Sequence, residues 1–210
     1  MQYQNWLVRK TVNLDLSNKC TLECPRCARR KFVNKKDIPG HYMTDKEWKM
    51  YLNHFDSFLF CGQFSDPILH PKFPDMLKDV HNASKRAAIY VAASHRSRDF
   101  FIECFKALPA STWVFGIDGL PENSSKYRIR QDGEKLFEMM LLSKKYVEDT
   151  TWQYIIFKYN ENEMDQAKEL AEKHDIKISF LKSSRFAVGD DVYKPSEGLY
   201  IKRNDDRYVP

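Results

Sequence analysis

Apolar and polar positions along this chain follow two periods in turn. Residues 11–16 (TVNLDL) alternate apolar and polar side chains, and residues 57–62 (SFLFCG) are almost continuously apolar, patterns that indicate β-strands. Between such runs, apolar residues recur three and four positions apart, which indicates helices. The pattern predicts strands at 11–16, 57–62, 87–93, 112–118, 152–157 and 176–181, and helices at 44–55, 72–84, 98–108, 134–146 and 161–174.

Regular alternation of strands and helices favours a parallel sheet flanked by helices. A complete barrel of eight such units typically needs about 250 residues, whereas the chain has 210. The predicted fold is therefore α/β, a partial (β/α)6 TIM-like barrel with a parallel sheet. We expect this domain to cover residues 1–185 and residues 186–210, which are polar and lack clear periodicity, to form a C-terminal tail.

Composition indicates a globular chain, because 42% of the residues are hydrophobic and 30% are charged. No stretch approaches the roughly 18 apolar residues of a membrane span, and the polar start is not a secretion signal. We therefore expect a cytoplasmic protein with no membrane partner.

Positions 26–36 contain six basic residues and no acidic one, although the formal net charge of the whole chain is only +5. This local concentration argues against nucleic acid as a partner, because a general nucleic-acid binder is expected to be basic over more of its surface. The run is interpreted either as a solvated loop or as a site for an anionic substrate, an acidic electron donor or an anionic metal cluster.

Three cysteines, Cys20, Cys24 and Cys27, directly follow the first predicted strand. Parallel barrels carry their reactive groups at the carboxyl ends of strands. Thiolates are soft ligands for iron–sulfur clusters or zinc, and three of them leave one metal position open. A closed structural zinc site would need a distant fourth ligand, with His41, Cys61 and His70 as the candidates.

The spacing Cys20-x3-Cys24-x2-Cys27 after the first of six strands resembles that of the radical S-adenosylmethionine (radical SAM) enzymes, over residues 11–185. The resemblance implies a [4Fe-4S] cluster on these three cysteines, whose fourth iron is chelated by S-adenosylmethionine. It further implies reductive cleavage of that cofactor to a 5′-deoxyadenosyl radical, which abstracts hydrogen from an unidentified substrate. A flavodoxin- or ferredoxin-type protein would supply the electron.

Residues 65–71 (SDPILHP) are similar to the family segment that binds the methionine amino group. The resemblance implies that Asp66 accepts a hydrogen bond from that ammonium. The family's glycines are replaced here, so Gln63 is a second candidate for the same contact.

Other strand ends match further family positions. Ser94 stands where the family contacts the ribose or the methionine carboxylate, and Asp118 belongs to an Asp-Gly pair at the end of the fourth strand. Asn160 lies in a segment similar to one near adenine and ribose. Arg26 replaces an aromatic residue that packs near adenine, and a guanidinium plane can also stack on a ring.

Three of the candidate binding residues also have a purely structural interpretation. Asp66, Asp118 and Asn160 are residue types that cap helices and shape turns without any ligand. The later strands most resemble members of the family that modify peptides, which often continue into a cysteine-rich extension, yet no cysteine follows Cys104. The alternative function is a non-catalytic zinc-binding interaction module with a basic loop that contacts nucleic acid.

Overall fold

The computed structural model describes residues 10–183, 185–186 and 191–196. Within these residues, six strands form one sheet in the order β1-β2-β3-β4-β5-β6, and every neighbouring pair is parallel. The strands are β1 (Thr11–Asn13), β2 (Ser57–Phe60), β3 (Arg86–Val91), β4 (Ser111–Gly116), β5 (Asp149–Ile156) and β6 (Lys177–Lys182). The helices are α1 (Asp45–His54), α2 (Phe73–Asn82), α3 (Arg98–Ala107), α4 (Gly133–Ser143) and α5 (Met164–Lys173).

This arrangement confirms the predicted partial barrel. Each helix connects one strand to the next parallel strand, and in the described residues β1 and β6 each pair on one side alone, so the sheet is not closed. The core lies between the sheet and the helices, where Trp113 and Trp152 are fully buried. The Trp113 ring meets Phe105 of α3 edge-on at 4.8 Å, an arrangement that aromatic pairs prefer.

Helix starts follow local signals in the sequence. Thr44 and Glu47 form a complete capping box at α1, and the side chains of Ser97 and Asp132 accept backbone N–H groups at the starts of α3 and α4. Such caps satisfy donors that the first turn leaves without partners. Within the part of the chain that the structure describes, no helix has the length and apolar character of a membrane span.

Several boundaries differ from the predictions. β1 ends at Asn13 rather than at residue 16, because Asp15 turns to bind the loop after β2. β5 begins at Asp149, three residues before its apolar run, because the polar residues there pair with β4. α5 begins at Met164 rather than at residue 161, since the Asn160 side chain first folds the chain into a turn. Between the predicted strand 112–118 and the predicted helix 134–146 the chain forms a short 3-10 helix, Pro121–Lys126.

Candidate functional site

A cavity of about 350 Å³ lies at the carboxyl ends of the strands. Its wall includes the three cysteines of the loop after β1, which we call the cysteine loop (residues 20–27), together with Asp66 and Arg128. The six strands therefore bring these side chains together from distant parts of the sequence. This is the edge of a parallel sheet at which the loops carry reactive groups.

The cysteine loop is held by hydrogen bonds at both ends. The Leu22 N–H donates to Cys20 Sγ (3.4 Å), and the Cys27 N–H donates to the Cys24 carbonyl (3.2 Å). The Arg29 guanidinium, which follows the loop, donates to the carbonyls of Asn18 (2.6 Å) and Phe64. Arg29 thus ties the loop after β1 to the loop after β2.

Burial controls the protonation of the thiols. It raises the pKa of Cys20 to about 12, and the nearby Asp66 charge acts in the same direction. Burial also raises the pKa of Cys24, while the positive charge of Arg128 opposes the shift. These two thiols keep their protons at neutral pH, so a metal that binds them must displace protons.

The three thiols line one cavity. Among the residues that the structure describes, no three His, Cys, Asp or Glu side chains are grouped as ligands of one metal ion. Cys20, Cys24 and Cys27 therefore share one cavity wall, and their assignment as ligands stays a prediction.

Asp66 occupies the cavity wall next to the cysteine loop. Its Oδ2 accepts the N–H groups of Ala92 and Ala93 (2.8 Å each), and its Oδ1 accepts that of Ile68 (3.3 Å). Its own N–H donates to the Lys19 carbonyl (3.1 Å), which places it behind Cys20. Burial raises the pKa of Asp66 to about 6, although the three N–H groups oppose this. The carboxylate therefore shapes a turn and also faces the cavity.

Gln63 also lines the cavity, and a residue that the sequence did not single out positions it. The Gln63 N–H donates to Asp15 Oδ2 (2.9 Å), and Asp15 also accepts from the N–H and hydroxyl of Ser65. The Gln63 side-chain oxygen accepts from Arg185 (3.1 Å). Asp15 is the acidic residue of the predicted strand 11–16 (TVNLDL), and this was the signal that could have identified it.

Ser94 is buried and faces a second, open depression behind the cysteine loop, which Cys20 and His95 also line. Its hydroxyl accepts the N–H of Asp132 (2.8 Å), the residue that caps α4. Ser94 therefore joins the end of β3 to the start of α4, and it is not part of the wall of the main cavity.

Asp118 and Asn160 are completely buried at the ends of β4 and β5, and neither lines the main cavity. Asp118 Oδ1 accepts the Ile155 N–H (2.9 Å), and burial raises the pKa of this carboxyl. Asn160 accepts the Phe157 N–H (2.7 Å) and donates to the Ile155 carbonyl (3.0 Å). The Asp118 side chain thus joins the chain after β4 to β5, whereas the Asn160 side chain closes the turn at the end of β5.

Arg128 is the most prominent site residue that sequence reasoning missed. Its Nε lies 2.7 Å from Asp118 Oδ2, without the alignment of a hydrogen bond. The guanidinium lies against β4, where a Cβ on Gly116 would come within 2.8 Å of Nη2. It lines the cavity close enough to Cys24 to act on the pKa of that thiol. Glycine at position 116 leaves room for the guanidinium, and a Cβ there would require the end of the Arg128 side chain to shift.

Arg26, the last of the predicted binding residues, is not among the residues that line the cavity. Its Nε donates to Asp191 (2.7 Å), and its guanidinium lies 5.9 Å from the centre of the Tyr193 ring. Of the other basic residues in this run, Arg30 donates to the Glu23 carbonyl and Lys35 pairs with the Glu23 carboxylate. The basic run thus divides into residues that hold the loop and residues that face solvent.

No protein-family model matches the chain, and no curated protein matches it. Solved structures do match. SuiB from Streptococcus suis superposes with a TM-score of 0.67 at 12% identity, over 90% of this chain and 43% of that one. The structure of anSMEcpe with bound AdoMet (S-adenosylmethionine) superposes with a TM-score of 0.67 at 17% identity, over 88% of this chain and 53% of that one. TYW1 with a lysine-pyruvate adduct superposes with a TM-score of 0.59 at 12% identity, over 85% of this chain and 67% of that one.

These neighbours are radical SAM enzymes. The chain has the radical SAM fold. The resemblance inferred from the cysteine spacing is thereby confirmed at the level of the fold. The chain spans about half the length of SuiB and anSMEcpe, and identities of 12–17% carry the fold alone. Within the radical SAM fold, the cysteine loop and Asp66 stand at the mouth of the partial barrel.

Proposed function

We propose that this chain is the catalytic core of a radical SAM enzyme, in which Cys20, Cys24 and Cys27 hold a [4Fe-4S] cluster and S-adenosylmethionine binds beside it. One observation carries the proposal. Three thiols after β1 line the same cavity as a buried carboxylate after β2.

The donor set fits a cluster. In a [4Fe-4S] cluster each cysteine binds a different iron atom, so its ligands are spread over separate corners, whereas a zinc ion draws four ligands to about 2.3 Å or less. Cys20, Cys24 and Cys27 on one wall suit the first arrangement, and with these three as ligands one iron would have no protein ligand. Cys61 lines the same cavity, and we propose that it is not a ligand. When bound, the cluster and S-adenosylmethionine supply reductive cleavage to methionine and a 5′-deoxyadenosyl radical that abstracts hydrogen from the substrate.

Asp66 is the proposed acceptor for the methionine ammonium, with Gln63 beside it. A carboxylate that receives an ammonium forms a charge-assisted hydrogen bond, which is stronger than a neutral one. Ser94, Asp118 and Asn160 hydrogen-bond inside the protein. We propose that they act through the strand ends that they hold, rather than by direct contact with the cofactor.

A peptide is the proposed substrate. SuiB has been solved bound to the precursor peptide SuiA, and anSMEcpe with AdoMet and the Cp18Cys peptide. In this chain a cavity of about 350 Å³ has room for the cofactor's reactive end and a substrate side chain. Val114, Ile155 and Leu181 give part of its wall an apolar surface, which suits a carbon–hydrogen bond held away from water.

The proposed electron donor is a flavodoxin- or ferredoxin-type protein, which would meet the cysteine loop from outside. Arg30, Lys31 and Lys36 are exposed next to that loop, and a positive surface speeds association with an acidic partner. The proposed location is the cytoplasm, because a reducing compartment keeps cysteines as thiols and all five cysteines of the chain are unpaired.

The proposal is tested by anaerobic reconstitution with iron and sulfide. We expect a brown protein with about four iron and four sulfide per chain, which forms 5′-deoxyadenosine from S-adenosylmethionine and a strong reductant. Cys20→Ala, Cys24→Ala and Cys27→Ala should each abolish the product. Cys104→Ala is the matched control, since this thiol is buried away from the cavity.

A colourless protein with one zinc per chain would contradict the proposal and support the interaction module. Full activity in any of the three cysteine variants would contradict the ligand assignment.

A further inference from the structure

A segment near the C-terminal end of the chain lies directly against the cysteine loop. Arg26, the residue before Cys27, donates from Nε to Asp191 Oδ2 at 2.7 Å, and the Asp191 side chain is 0% exposed. The two residues are 165 positions apart. A buried charge with a partner this far along the sequence fixes the chain between the second and third cysteines.

The segment that carries Asp191, residues 191–196, is itself anchored to the loop after β5. The Lys158 N–H donates to the Tyr193 carbonyl (3.0 Å), and the Ser196 N–H donates to Glu161 Oε2 (2.6 Å). Asp191 Oδ1 accepts the Tyr193 N–H (3.0 Å), which closes a local turn. One oxygen of Asp191 thus holds its own segment while the other holds Arg26.

Aromatic contacts continue from this segment to the cavity wall. The Tyr193 ring meets Tyr127 edge-on at 5.2 Å, and Tyr127 stacks on Phe157 at 3.9 Å. Tyr127 and Phe157 both line the cavity. Residues 191–196 therefore support the wall from behind.

We propose that Asp191 is a positioning residue for the cluster site, which fixes Arg26 and with it the Cys24–Cys27 part of the cysteine loop. Residues 191–196 then belong to the site, although they fall in the predicted tail. This inference rests on the proposed function, because its expected consequence is that the intact contact slows the loss of the cluster.

The test measures anaerobic iron release from reconstituted protein to a chelator, followed by the loss of visible absorbance. Arg26→Gln and Asp191→Asn keep the size of each side chain and remove the ion pair. Each should speed iron release about tenfold, as is typical when a residue that orients metal ligands is changed. The double variant should release iron no faster than either single variant, because both changes remove the same contact.

Two further variants separate positioning from general stability. Asp165→Asn removes the exposed ion pair with Lys168 on α5, and we expect the wild-type release rate. Arg26→Lys retains a positive charge that can still pair with Asp191, and it should release iron more slowly than Arg26→Gln.

Wild-type release rates in both single variants, or effects that add in the double variant, would overturn the inference.

The contact also has a readout without the cluster, namely chymotrypsin cleavage after Tyr193. Faster cleavage in Asp191→Asn supports the docking of residues 191–196, and unchanged cleavage contradicts it. A wild-type protein that binds no iron would instead overturn the proposed function, so the two failures are distinguishable.

Discussion

Two buried aspartates at the same edge of the sheet have different surroundings. Asp66, after β2, is held by three backbone N–H groups and lines the cavity. Asp118, after β4, lies 2.7 Å from the Arg128 guanidinium and faces the protein interior. Backbone donors leave the first carboxylate able to receive another cation, whereas the second already balances one. A buried acid at a strand end is thus a candidate ligand only when its charge remains available.

The largest expected effect concerns the charge pair. Asp118→Asn keeps the side-chain oxygen near the Ile155 N–H but leaves Arg128 buried without a counter-charge, which should cost about 3–5 kcal/mol of the free energy of unfolding. Urea unfolding at pH 7.5 measures this. Asp66→Asn is the matched change, and it should stay within about 1 kcal/mol, because relief of the buried charge offsets the weakened hydrogen bonds. Equal costs would remove the distinction between the two sites.

The second effect is a pH dependence that belongs to Asp66. Burial raises the pKa of this carboxyl from 3.8 to about 6, so the folded protein binds more protons than the unfolded chain between these values. The contribution of Asp66 to stability is therefore greatest below about pH 4, and it falls by about 3 kcal/mol as the pH rises to 6. The difference in unfolding free energy between wild type and Asp66→Asn should show this decline. A flat difference would contradict it.

The third effect is on the cofactor. Asp66→Asn should weaken S-adenosylmethionine binding about 10- to 100-fold, because a hydrogen bond between charged groups is worth about 1.5–3 kcal/mol. Equilibrium dialysis with the reconstituted protein gives the dissociation constant. Gln63→Ala offers the comparison, and a larger loss there than in Asp66→Asn would transfer the ammonium contact to Gln63.

The smallest effect is expected at Ser94. Removal of its hydroxyl in Ser94→Ala should cost about 1 kcal/mol of stability, because the N–H of Asp132 loses its acceptor. The affinity for S-adenosylmethionine should not change. A tenfold weaker affinity in this variant would show that the hydroxyl contacts the cofactor directly.

Sequence reasoning succeeded where the determining contacts are local. The capping box of Thr44 and Glu47 spans four residues, and the three cysteines follow one strand within eight positions, so both features are legible without the fold. The alternation of two periods was likewise sufficient to predict the order and number of the strands.

Sequence reasoning did not identify partners that lie far apart along the chain. Arg128 becomes a cavity residue because Gly116 leaves space for it, and Asp191 matters because it meets Arg26 across 165 positions. Neither pairing has a local signal, since both depend on which strand ends become neighbours. For the same reason the sequence could not show that Arg26 binds Asp191 and that Ser94 binds the start of α4.

The most direct test of the central claim is the electron paramagnetic resonance spectrum of the reduced, reconstituted protein with and without S-adenosylmethionine. If the three thiols hold a cluster with one open iron corner, the cluster signal should change when S-adenosylmethionine is added, and Asp66→Asn should require a higher concentration for the same change. A cluster signal that is identical with and without saturating S-adenosylmethionine would contradict the account.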